Sequence, residues 1–111
     1  MASIDLDSIF QTTLDGSKEL GKTLFKNFAE QAAADTRDFL QRARAGIARA
    51  IALHAEGKID DEDLEDLIVG KKSLAEMHAL KQKGLASAAI DTFTNGVLNI
   101  LVNAVFAAVK L

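Results

Sequence analysis

The residues best suited to chemistry lie near the middle of the chain. Asp60, Asp61, Glu62, Asp63, Glu65 and Asp66 form an acidic block of the kind that holds a cation. A calcium loop needs oxygen ligands at alternating positions, a glycine in mid-loop and a closing glutamate. Here Glu65 stands where that glycine belongs. The block reads instead as a helix start. Asp60 offers an N-cap carboxylate, and the acids after it match the positive end of the helix dipole. Gly57 just upstream suits the left-handed closure of the preceding helix.

His54 and His78 are the only imidazoles. Neither stands in an HExxH or ExxH pattern, and a turn between them places them far apart along a hairpin, so they predict no shared metal. There is no cysteine, hence no disulfide, no thiolate zinc site and no thiol nucleophile. Serines and threonines occur without a base and orienting group to activate them. The glycines are dispersed in helical patterns and make no phosphate loop. Arg37, Arg42, Arg44 and Arg49 point in different directions among acids. With a net charge of −3, the chain lacks the charge of a nucleic-acid binder. The expectation is a protein that is no enzyme, with no catalytic residue, metal or cofactor.

The elements that carry these residues are helical. The chain is rich in Ala, Leu, Lys and Glu and has no proline. Its 111 residues allow one small domain, 1–111. Leu6, Ile9, Phe10, Thr13 and Leu14 predict a short N-terminal helix, with a break at Asp15-Gly16-Ser17. One long helix follows over about 17–56, its apolar line running Phe25, Ala29, Ala32, Thr36, Phe39, Ala43, Ile47, Ala50 and His54. The turn takes 57–60, with Gly57 and Asp60 as its key residues. A second helix covers about 61–110. Its phase favours continuity, while Gly70 and Gly84 mark possible breaks near 70 and 84, and Ser73 with Glu76 has capping-box spacing. The Gly57-x-Ile59-Asp60-x-Glu62 junction is of a common type and names no family.

In such a hairpin, positions whose numbers sum to about 117 face each other. Phe25 and Phe28 come level with Phe93, Phe10 with Phe106, and Asp35 with Lys81. Each arm would be roughly 75 Å long at ~1.5 Å per residue. That is too long for its own core, so either the arms fold back into three or four helices, or several hairpins associate.

Residues 92–109 carry no charge. Asn95, Asn99 and Asn103 fall on one line of the helical wheel, and most other directions are apolar. One partner helix covers one side only, which favours an oligomeric bundle with Phe93, Val97, Leu98, Leu101, Val105 and Val109 at the interface. The asparagines would then set register. The first expectation is therefore a structural or interaction protein, a homo-oligomer or the partner of another helical protein. Residues 1–7 show neither a basic n-region nor an apolar h-region, so no secretory signal and a cytoplasmic location are expected. A membrane-active or tail-anchored protein inserting 92–109 is the alternative. Against insertion stand the three asparagines and the absence of Trp and Tyr anchors. A weaker alternative is a small ligand-binding bundle with Lys71, His78 and Gln82 in an apolar interior.

Overall fold

The computed structural model describes residues 4–110. Among them the regular elements are all helical: α1 (Leu6–Phe25), α2 (Ala29–Ala55), α3 (Asp61–Val69), a 3-10 turn (Gly70–Leu74), α4 (His78–Gln82) and α5 (Ser87–Val109).

Four members run up and down around one core, the third being the broken run α3, 3-10 turn and α4. α1 and α5 are antiparallel, with Gly16 beside Ile100, Leu20 beside Gly96 and Phe25 against Phe93. α1 and α2 are antiparallel too, linked by Asp7–Arg44 at one end and Gly21–Ala32 at the other. The broken member lies along α2, where His54 meets Asp61, Gly46 meets Lys71, and Arg42 meets Glu76. α3 and the residues after it then close against α5. The body measures 44 × 21 × 18 Å. The arms have folded back instead of staying extended.

Local chemistry explains three of the element ends. Asp5 caps α1 by accepting the Ser8 amide at 3.2 Å. Gly57, with φ +74°, closes α2 in the left-handed region that other residues enter at a cost. Asp60 and Asp63 form a reciprocal capping box: Asp60 Oδ1 accepts the Asp63 amide at 2.8 Å, and Asp63 Oδ2 accepts the Asp60 amide at 3.2 Å.

Three expectations are corrected. The short N-terminal helix does not stop at Asp15-Gly16-Ser17; α1 passes through and reaches Phe25. The absence of a Cβ at Gly16 is what lets α5 approach, since one would sit 3.0 Å from Ile100 Cγ2. Packing thus retains a glycine that local propensity reads as a breaker.

The long helix over 17–56 is two helices, broken at residues 26–28. The Asn27 amide donates to the Phe25 carbonyl at 2.6 Å, and Lys26 has φ 61° and ψ −62°. This is the rare γ-turn of positive φ, unfavourable for a residue with a Cβ. It reverses the chain between α1 and α2 just after Phe25, whose ring lies 5.6 Å from that of Phe93 on α5 between centroids.

The phase of 61–110 does not keep it one helix: it breaks at Gly70–Met77 and again at Lys83–Ala86, at the two places near 70 and 84 that Gly70 and Gly84 mark. Ser73 caps nothing; Glu76, the other half of that expected box, pairs with Arg42 and His78.

Candidate functional site

The surface of α5 is built from the inside out. Phe93, Val97, Leu101 and Val105 are fully buried, and Leu98 nearly so. They lie in the core shared with Ile9, Phe25, Phe39, Ile47, Leu64, Ile68, Met77 and Leu80. Each large apolar side chain so buried is worth about 1.5–3 kcal/mol of transfer free energy. Five of the six residues assigned to an oligomer interface are therefore covered within one chain, and their burial requires no second copy. Val109 is half-buried at the helix end.

Asn95, Asn99 and Asn103 are exposed on the opposite side. Asn95 Nδ2 donates to Asp91 Oδ2 at 3.4 Å. From Thr92 to Val109 no charge interrupts this outer face. Phe106 is half-buried at its edge, with the Lys110 ammonium 5.3 Å from the ring centroid.

The turn end carries a clasp of three elements. Asp61, in the first turn of α3, takes His54 Nε2 at 2.7 Å from the last turn of α2. Its other oxygen pairs with Lys110 Nζ at 3.0 Å, just past α5. The hydrogen bond from His54, then that from Lys110, holds the Asp61 carboxyl below the usual carboxylate range. Gly57 and Asp60 are exposed here and shape the chain reversal.

A second polar join was not legible from local sequence. Asp35 on α2 is buried and accepts the Ala79 amide at 2.9 Å and the Leu80 amide at 2.8 Å. It serves α4 as a cap supplied from another helix. The facing register puts Asp35 level with Lys81 and suggests an ion pair; the carboxylate takes backbone amides instead. Nearby, Arg42 lies between Asp38 at 3.0 Å and Glu76 at 2.9 Å, while the second oxygen of Glu76 meets His78. The two carboxylates raise the guanidinium pKa further above its ordinary value.

His78 and Gln82 are exposed, and Lys71 lies half-buried over Gly46. These three side chains do not converge in an apolar interior, which removes the arrangement on which a ligand-binding bundle was expected. The other buried polar groups are satisfied locally: Thr13, Ser17, Thr36 and Thr94 donate to the carbonyls of Ile9, Leu14, Ala32 and Ile90. Among the described residues no group of three or more His, Cys, Asp or Glu side chains is placed to hold a metal ion.

Comparison with protein-family models, with curated proteins and with solved structures returned no match.

Proposed function

We propose that this chain is a non-enzymatic interaction protein and that the outer face of α5 is where it associates, most simply with a second copy. The observation that carries the reading is the charge-free line Thr92, Asn95, Asn99 and Asn103 on a protein whose other helices display charge throughout. Interface centres are depleted in charged groups because stripping water from a charge is costly. An asparagine amide donates and accepts, so a two-fold axis pairs it with its own copy. The interface is narrower than the apolar one expected from sequence, and the asparagines become its centre.

Sedimentation equilibrium of the full chain tests this. The expected result is a dimer or larger assembly at micromolar concentration, dissociated by Asn99→Arg with helicity unchanged. A wild-type monomer up to millimolar concentration overturns the reading, as does assembly indifferent to Asn99→Arg.

Membrane insertion is the second reading. One observation favours it: α5, Ser87–Val109, is long and apolar enough to cross a bilayer. The cost is withdrawing Phe93, Val97, Leu101 and Val105 from the bundle core. Flotation of the full chain with neutral and anionic vesicles decides it. Recovery with the lipid fraction supports insertion, and recovery at the bottom of the gradient rejects it.

A further inference from the structure

A cleft of about 400 Å³ opens between the first turns of α5 and the run from the 3-10 turn through α4. That volume lies within the range of small-ligand sites. Its floor is apolar, with Met77 and Ile90 buried and Leu85 half-buried. Its rim carries two ammonium groups, Lys72 and Lys81, the Asp91 carboxylate, and the Ser87 and Thr94 hydroxyls, the last already donating to the Ile90 carbonyl. The two lysines are not equivalent. Lys72 is matched by Asp91 at 3.0 Å. Lys81 forms no ion pair with any described residue.

We propose that this cleft binds a small amphiphilic carboxylate, with its headgroup between Lys81 and Ser87 and its hydrocarbon tail over Met77, Leu85 and Ile90. The chemistry selects the class. A bare inorganic anion gains the lysine and leaves the apolar floor wet. A neutral hydrocarbon covers the floor and leaves Lys81 unmatched. A molecule with one negative end and a short apolar tail satisfies both, because the lysine stem itself lies along apolar surface while its ammonium meets the anion. Asn95, Asn99 and Asn103 do not line the site; its one link to the outer line of α5 is Asp91, which accepts from Asn95.

The test is a titration of isotope-labelled full-length protein with octanoate below its micellar range, followed by amide chemical shifts. Acetate serves as a headgroup without a tail and octanol as a tail without a charge. Octanoate is expected to give saturable shifts centred on Lys81, Leu85, Ser87 and Ile90, with acetate and octanol far weaker. Lys81→Gln is expected to weaken octanoate about tenfold, the worth of one charge-assisted hydrogen bond. Lys83→Gln, at a position that does not line the cleft, is expected to leave affinity unchanged. Both positions are exposed, and the spectrum away from the cleft reports that each variant is folded. The proposal is overturned by octanoate shifts that do not saturate at the cleft, by octanol matching octanoate, or by equal affinity in Lys81→Gln and wild type.

Discussion

Asp35 reaches across 45 positions of sequence to accept the amide of Leu80 at 2.8 Å, and it takes the Ala79 amide with its other oxygen. The carboxylate is 6% exposed, so water does not replace it when it is removed. It is expected to be a principal polar fastening of the short helix α4, whose five residues are too few to hold a helix alone. Asp35→Ala strands two amides and should cost about 2–6 kcal/mol, since each buried unsatisfied donor costs about 1–3 kcal/mol. Asp35→Asn keeps one acceptor oxygen and should lose less. Urea unfolding of the three proteins gives the order; equal midpoints would show that α4 is held by Leu80 and Met77 alone.

Lys26 holds a backbone conformation suited to glycine, with φ 61° and ψ −62°, and its side chain is exposed. Lys26→Gly should therefore stabilise the protein despite the greater freedom of glycine in the unfolded chain. Relief of strain of about 1–3 kcal/mol is opposed by an entropy cost of about 0.5–1 kcal/mol. The expected outcome is a gain on the order of 1 kcal/mol in thermal or urea unfolding. A loss of stability would mean that the γ-turn between α1 and α2 carries no strain.

The Asp61 clasp gives stability a defined dependence on pH. Its carboxyl titrates below the ordinary value of 3.8 in the folded protein, chiefly through His54 and then through Lys110. A lowered folded pKa means that the contribution is fully present above the unfolded value. It is lost as pH falls below 3.8 and through the lowered folded value. Asp61→Asn should cost little at neutral pH, because the side chain is half-exposed, and should make the acid limb of a stability–pH profile shallower. Profiles of the two proteins that stay parallel in acid would show that the clasp contributes nothing to folding.

Legibility of the fold in the sequence follows the range of the interaction. The capping box of Asp60 and Asp63 is local, and the acidic block reads correctly as a helix start. The apolar phase of residues 85–105 is regular, so Phe93, Val97, Leu101 and Val105 are recognisable as a line that must be covered; the sequence assigns that cover to an oligomer, whereas the single chain supplies it. The level pairing of Phe25 with Phe93 is readable from the hairpin register. What is not readable is how the arms fold back. The break at residues 26–28 has no proline or glycine to announce it; Asn27 is the single turn-type residue there, and Phe25 and Phe28 continue the helical pattern. It exists because α1 gains more by packing on α2 and α5 than by extending. Gly16 misleads in the opposite direction, since contact with Ile100 keeps it inside a helix. The cap from Asp35 joins elements distant in sequence, and the cleft at Lys81 exists only after both breaks have formed.

These packing relations also decide which substitution can report on association. Leu101 lies on the apolar line of α5 but is 0% exposed within the single chain, whereas Asn99 is exposed two positions away. Leu101→Asp places a carboxylate in the core, one helical turn from the buried Val97 and Val105, and removes a fully buried side chain. Its expected effect is the loss of folding altogether, more than about 4 kcal/mol, from the cost of an unpaired buried charge added to that of a cavity. Any change of assembly in that variant would follow from unfolding. Asn99→Arg adds a charge on the outer face, where the fold tolerates it within about 0.5 kcal/mol. Circular dichroism melting and sedimentation on the same samples separate the two effects. Leu101→Asp should lose its cooperative melt, and Asn99→Arg should keep the melt and lose assembly. A folded Leu101→Asp would contradict the packing of α5, while an Asn99→Arg variant that melts normally and still assembles would move the association surface off α5.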